Sequence, residues 1–98
     1  MKDTNHSDIV REVMESITPL ERSTSDLTDG IAARIDSVMK RKGISKGQLA
    51  KMTGHRPSEV TRWLGGGHNF TCKTIAAISQ ALGEDIVKVV KPHQRRNK

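Results

Sequence analysis

The sequence predicts a small all-α domain, a bundle of four to five helices preceded by a helical arm. Apolar residues recur at three- and four-residue intervals in several segments, as the buried face of a helix requires. Residues that favour helix starts, such as Ser45 and Thr71, and glycines that favour helix ends, such as Gly43 and Gly83, border these segments. At 98 residues, the chain has room for one such domain and a short appendage.

The first predicted element is an amphipathic helix within an acidic N-terminal arm, residues 1–26. Ile9, Val13 and Ile17 recur at helical spacing, and the pattern ends near Pro19. The polar stretch 23–29 is predicted to be a linker or the approach to the next helix.

The body of the domain is predicted to cover residues 27–91, and its first helix carries an apolar stripe. That helix ends at Gly43, because glycine readily takes the left-handed backbone of a helix exit. The stripe consists of Leu27, Ile31, Ile35, Val38 and Met39.

The next two helices have the spacing of a helix-turn-helix motif. Ser45 and Gln48 form a capping box that starts the second helix. The methyl side chain of Ala50 lets the third helix approach closely, and Gly54 permits a sharp exit. Val60 fills the angle between the two helices. Such a motif presents its second helix to a DNA groove.

The boundaries of the remaining helices follow from proline, threonine and glycine. The third helix is predicted to begin at Arg56 or Pro57 and to stop at the glycines 65–67. Thr71 caps a fourth helix that ends at Gly83. In this helix Ile75, Ile78 and Leu82 face the core. Residues 86–90 are predicted to form a short strand or an extended tail, and residues 92–98 a basic disordered tail.

Charge is divided unevenly along the chain. Residues 1–30 hold three Lys/Arg and seven Asp/Glu, about −4, whereas residues 31–98 hold fourteen and four, about +10. A basic body favours a polyanionic partner. With Trp63 and Phe70 as the only aromatic residues, stacking on unpaired bases is disfavoured, so duplex DNA is expected.

Other classes of protein are disfavoured by composition. Cys72 is the only cysteine, and no signal peptide or membrane-spanning stretch is evident, so a protein of the reducing cytoplasm is expected. The four histidines and Cys72 lack the spacing of a zinc site, and no nucleophile with an oriented base is evident. We therefore expect no cofactor, no metal and no enzymatic activity.

Over about residues 31–83 the chain resembles the Xre-type helix-turn-helix repressors, relatives of the lambda and Cro repressors. Ala50, Gly54 and Val60 carry this resemblance, and the string SEVTRWLGGGHNFTCKTIAAISQALG is most similar to the HigA-type antitoxins. The resemblance implies a lambda-repressor-like bundle of helices. Thr53 and His55 depart from the family pattern, which usually has apolar side chains at these places, so the packing of the turn is in question.

The resemblance also implies which residues contact DNA. The third helix would lie in the major groove and read bases through Arg56, Ser58, Thr61 and Arg62. Arginine can bind guanine through two hydrogen bonds. The alternative for Arg56 and Arg62 is contact with phosphate alone, since half or more of protein–DNA hydrogen bonds go to the backbone.

Phosphate contacts are expected on both sides of the reading helix. Lys46 and Gln48 lie in the first turn of the second helix, which in this family abuts the DNA backbone, although Gln48 already has a capping role. Gly67, His68 and Asn69 follow the reading helix and would either approach a phosphate or form an ordinary loop.

Two residues near this surface receive a structural interpretation. Glu59 suits the positive end of the third helix and could reach Arg62 one turn on. Trp63 lies between Val60 and Leu64 on the inward side and is expected in the core rather than stacked on a base.

Two compatible functions follow. The chain would be a sequence-specific repressor, a homodimer on an inverted repeat, or an antitoxin that also neutralises a partner. The HigA-type resemblance implies that the partner is a small ribosome-dependent RNase toxin and that the operon is autoregulated. The acidic arm could contact such a basic toxin, pack on its own body or contribute to the dimer. A phage or mobile-element regulator with no toxin would have the same sequence features.

Overall fold

The computed structural model describes residues 17–90, and within them the chain forms four α-helices and no strand. The helices are α1 (Pro19–Lys42), α2 (Lys46–Thr53), α3 (Pro57–Leu64) and α4 (Cys72–Leu82). The all-α prediction is therefore confirmed. The predicted arm helix, apart from Ile17 at its end, and the predicted basic tail at 92–98 lie outside the described residues.

Helix α1 begins well before the expected position. Thr18 caps it: the Thr18 hydroxyl accepts a hydrogen bond from the Glu21 backbone N–H at 3.0 Å, and the Glu21 carboxylate accepts one from the Thr18 N–H at 2.9 Å. The Thr18 backbone N–H, with its hydroxyl, lowers the pKa of the Glu21 carboxyl. The linker interpretation of residues 23–29 is wrong, because this stretch is helical, and the predicted arm–body boundary falls inside α1.

The buried face of α1 also differs from the expected stripe at its start. Leu27 is 67% exposed, whereas Thr28 is buried and donates its hydroxyl to the Ser25 carbonyl at 3.1 Å. Thr28, Ala32, Ile35 and Met39 follow one another at four, three and four residues, which is the spacing of a single helix face. Leu27 lies outside this face, so its assignment to the core stripe was wrong.

The ends of α2, α3 and α4 lie where the capping residues predicted them. Ser45 Oγ accepts from the Gln48 N–H at 3.1 Å, and Gln48 Oε1 accepts from the Ser45 N–H at 2.7 Å. Arg56 precedes α3, which ends at Gly65, and Thr71 Oγ1 accepts from the Thr74 N–H at 3.1 Å at the start of α4. Left-handed glycines end α1, α2 and α4.

The hydrophobic core joins all four helices. Its buried members include Ile35, Val38 and Met39 of α1, Leu49 and Ala50 of α2, Val60 and Trp63 of α3, and Ile78 and Leu82 of α4. Each fully buried Leu, Ile or Val contributes roughly 1.5–3 kcal/mol relative to its exposed state. The core thus holds α2 and α3 in a fixed relation to the longer α1.

The chain beyond α4 settles the alternatives for residues 86–90. No strand forms there within the described residues. Ile86 is buried against the core and its N–H donates to Ser79 Oγ at 3.1 Å, whereas Val89 is 83% exposed. The strand alternative is therefore wrong: residues 86 and 87 lie in a bend, and residues 88–90 form a tail without regular structure.

Charged side chains in the second half of α1 form hydrogen bonds with residues at the end of α4. Glu84 accepts hydrogen bonds from Arg41 at 2.6 Å and from Arg34 at 3.3 Å, and Lys42 Nζ donates to the Leu82 carbonyl at 2.7 Å. The hydrogen bond from Arg41 lowers the pKa of the Glu84 carboxyl and raises that of Arg41 itself. The charges of α1's last turn are thus largely engaged within the protein.

Candidate nucleic-acid interface

Helices α2 and α3 form the predicted helix-turn-helix. Gly54 ends α2 with a φ of 74°, and the His55 N–H donates to the Ala50 carbonyl at 2.8 Å. Ala50 and Val60 are both buried, as close packing of the two helices requires. The turn is therefore short and closed by its own backbone.

Thr53 and His55, the two polar departures in this turn, have partners that replace apolar packing. Thr53 Oγ1 donates to the carbonyls of Leu49 at 2.8 Å and Ala50 at 3.2 Å. The His55 ring lies edge-on to Trp63, with 5.0 Å between ring centroids. The Thr53 hydroxyl is hydrogen-bonded and the His55 ring packs on the core, so the turn keeps its geometry despite them.

The outward face of α3 carries the candidate base readers. Arg56, Ser58, Thr61 and Arg62 are all exposed, while Val60 and Trp63 face inward and Trp63 is only 2% exposed. Ser58, Thr61 and Arg62 share one helix face because they are three and four residues apart. Within residues 17–90 neither Arg56 nor Arg62 forms a salt bridge. Both side chains are exposed, and their role as base readers stays a prediction.

The candidate phosphate-contacting residues of α2 are also exposed. Lys46 is the first residue of the helix and Gln48 lies within its first turn. Gln48 Oε1 is engaged by the Ser45 N–H, so its capping role is confirmed. Its side-chain amide N–H groups remain the donors that a phosphate could use.

The loop between α3 and α4 combines exposed and packed residues. Gly67, with a φ of 71°, and Asn69 are exposed, whereas His68 is half-buried with its ring edge-on to Phe70 at 4.7 Å. A Cβ on Gly66 would lie 2.9 Å from Asp29 Oδ1. This close approach of an α1 carboxylate to the loop is a contact that the sequence did not reveal.

Glu59 has the structural role expected for it, but with other partners. Its Oε1 accepts from the Arg56 backbone N–H at 2.8 Å and lies 3.1 Å from His55 Nδ1. No salt bridge joins it to Arg62 within the described residues, so that predicted partner was wrong. The Arg56 N–H is the largest influence lowering the pKa of the Glu59 carboxyl. The spacing of Arg56 and Glu59, a helix N-cap and its third residue, was a signal that could have revealed this contact.

A cleft of about 190 Å³ adjoins α3. It brings Arg62 and His68, both predicted DNA contacts, together with residues that the sequence did not assign to the site. The cleft is lined by His55, Glu59, Arg62, Trp63, His68 and Thr74.

Among residues 17–90, no group of three His, Cys, Asp or Glu side chains could hold a metal ion. None of the helices in that part of the chain has both the length and the apolar character needed to cross a membrane.

Comparison with known families gives one match. A model described as a Cro/C1-type HTH DNA-binding domain matches residues 34–88, which include α2, α3 and α4 and the last nine residues of α1. No curated protein and no solved structure matches the chain significantly.

Proposed function

Because the chain belongs to the Cro/C1-type helix-turn-helix DNA-binding domain family, we propose that it is a sequence-specific repressor that acts by occupying an operator. The observation that carries the proposal is the outward face of α3. It presents exposed polar and basic side chains on the helix that such a motif places in the major groove. A repressor of this kind needs only to bind tightly where a polymerase or activator would otherwise act.

In the proposed complex, α3 reads bases and its flanks hold the backbone. Arg56 and Arg62 would bind guanine edges, with Ser58 and Thr61 completing the contact. Lys46 and Gln48 at the start of α2 would contact a phosphate near the positive end of that helix. Gly67, His68 and Asn69 would contact phosphate beyond α3, with His68 constrained by its packing on Phe70.

The repressor is proposed to act as a homodimer on an inverted repeat. One α3 covers only a few base pairs, and pairing two copies places two such helices about 34–36 Å apart, one turn of DNA. An apolar groove of about 410 Å³ between α4 and the tail that follows it supports this arrangement. The apolar residues that line the groove are Ile75, Ala76, Val87 and Val89.

We further propose that the protein is the antitoxin of a type II, HigBA-like toxin–antitoxin pair. The acidic charge of residues 1–30 supports a basic protein partner, such as an RNase toxin. Leu20 and Leu27 on the first half of α1 are 75% and 67% exposed, which supports the use of this helix as a docking surface. A phage or mobile-element regulator would have no such partner.

Selection of bound duplexes from a random pool tests the repressor proposal. We expect enrichment of one inverted repeat with at least one guanine in each half-site, its half-sites separated by about one helical turn. A pool that stays random after selection would contradict the proposal.

The neighbouring reading frames test the antitoxin proposal. We expect a short frame that encodes a basic protein, and the two purified proteins should form a stable complex by gel filtration. If no neighbouring product binds the purified chain, the antitoxin proposal is wrong and the plain regulator remains.

A further inference from the structure

His55 and Glu59 link the turn of the motif to the first turn of α3. Glu59 Oε1 accepts the Arg56 backbone N–H at 2.8 Å and lies 3.1 Å from His55 Nδ1. The Arg56 N–H keeps the pKa of Glu59 below its ordinary value, so the side chain is a carboxylate at neutral pH and can only accept. His55 must therefore carry its proton on Nδ1 to make this hydrogen bond.

His55 is held from two further directions. Its backbone N–H donates to the Ala50 carbonyl at 2.8 Å, at the end of α2. Its ring meets Trp63 edge-on, at an interplanar angle of 73°, and Trp63 belongs to the buried core. The pair thus connects the last turn of α2, the first turn of α3 and the core.

The first turn of α3 is where DNA reading would begin. Arg56 is the cap residue whose N–H Glu59 holds, and Arg62 lines the same cleft as His55 and Glu59. We propose that His55 and Glu59 are positioning residues that set the start of α3 and thereby align Arg56 and Arg62 for base reading. This inference rests on the proposed DNA-reading function. It assigns a specificity role to two residues that need not touch a base.

Loss of the Glu59 side chain has opposite expected effects on operator binding under an electrostatic role and under a positioning role. Removing an acid close to phosphates should strengthen binding to every duplex. A positioning role instead predicts weaker binding to the selected operator, with binding to a scrambled duplex unchanged or tighter. We expect Glu59→Ala to lose about tenfold in affinity for the operator, comparable to one base contact.

Two variants serve as rescue and control. Glu59→Gln keeps an oxygen that can accept the Arg56 N–H, and we expect it to restore most of the operator preference. Asp36→Ala removes a carboxylate that pairs with Lys40 within α1, and it should change the affinities for both duplexes equally. An asparagine at position 55 can place an amide N–H where Nδ1 of His55 lies. His55→Asn should therefore retain the preference for the operator that His55→Ala loses.

The free protein provides an independent readout. The Arg56 amide should exchange its hydrogen faster in Glu59→Ala than in wild type, while the melting curve by circular dichroism shows that the fold is kept. If Glu59→Ala keeps the wild-type ratio of the affinities for the operator and the scrambled duplex, the positioning role is overturned, while the proposed DNA-binding function still holds. If the wild-type chain itself binds both duplexes equally, the proposed function fails and the inference fails with it.

Discussion

At the scale of single residues, the charges around α3 fall into two groups. Arg56 and Arg62 have no salt-bridge partner within the described residues, whereas the carboxylate of Glu59 is bound by the Arg56 backbone and His55. In the part of the chain that the structure describes, the carboxylate of Glu59, the one acid of the helix, forms no salt bridge with either arginine side chain, although the charge of Arg56 contributes to its lowered pKa. Both arginine side chains are exposed, so each can reach an external anion such as a DNA phosphate.

Replacement of these arginines distinguishes base reading from phosphate contact. Arg56→Ala and Arg62→Ala should each cost roughly 1–3 kcal/mol on the selected operator and relax preference at one base position. Fluorescence titrations with the operator and with single-base variants measure both effects. Lys88→Ala, which removes a charge beside Arg34 and Glu84, is the control. Equal losses on operator and random DNA would mean that the arginines only position the protein.

The lowered pKa of Glu84 predicts how stability depends on pH. A carboxyl whose folded-state pKa is below its ordinary 4.5 stabilises the fold at higher pH, and that contribution is lost as the pH falls through the lowered folded value. Glu84→Gln should therefore reduce the free energy of unfolding at neutral pH and flatten its decline in acid. Urea unfolding at a series of pH values measures this. Asp85→Asn is the matched control, because Arg34 contacts only the backbone oxygen of Asp85.

At the scale of helices and turns, the features predicted correctly are local ones. The starts of α2 and α4 are set by Ser45 and Thr71, and the ends by Gly54 and Gly83, through hydrogen bonds spanning a few residues. Such contacts depend on adjacent sequence alone, so the sequence suffices to predict them.

The Ser45 cap offers a quantitative test. Ser45→Ala removes the oxygen that accepts the Gln48 N–H and should lower the free energy of unfolding by about 0.5–2 kcal/mol. Ser37→Ala, at an exposed position inside α1, should have little effect or stabilise slightly. Thermal unfolding of the two variants compares them directly. No difference between them would show that the α2 cap contributes nothing.

The errors in the sequence analysis share a physical cause. Residues 23–29 are polar because the first half of α1 is exposed nearly all round, and an exposed helix has no apolar period to detect. Leu27 was assigned to the core because it lies four residues before Ile31, but only tertiary packing decides which neighbouring face is buried. Whether residues 86–90 form a strand likewise depends on a second strand lying beside them, which this segment of the sequence does not reveal.

In the candidate site too, local features could be predicted from the sequence, whereas contacts between distant segments could not. The exposure of Arg56, Thr61 and Arg62 follows from their places around a helix whose inward side is marked by Val60 and Trp63. The contacts of His55 with Trp63, and of Asp29 with Gly66, join segments whose approach is set by the fold. Periodicity does not report such contacts.

At the scale of the whole molecule, an acidic segment precedes a basic body. A truncation that removes residues 1–26 would cut into α1. A truncation that removes residues 1–16 keeps Thr18 and the start of α1. We expect the chain lacking residues 1–16 to retain operator binding in a gel shift, because every proposed DNA contact remains. Binding to a cognate basic toxin should weaken. Loss of operator binding and of the dimer in sedimentation would place this segment in the dimer instead.

The central claim, that the basic helix-turn-helix face binds duplex DNA, is tested most directly by a salt titration of wild-type binding to the selected operator. Log affinity should fall linearly with log salt, and Lys46→Ala should flatten the slope by about one unit on operator and scrambled duplexes alike. An affinity independent of salt, or no duplex binding at about 50 mM salt, would contradict the account.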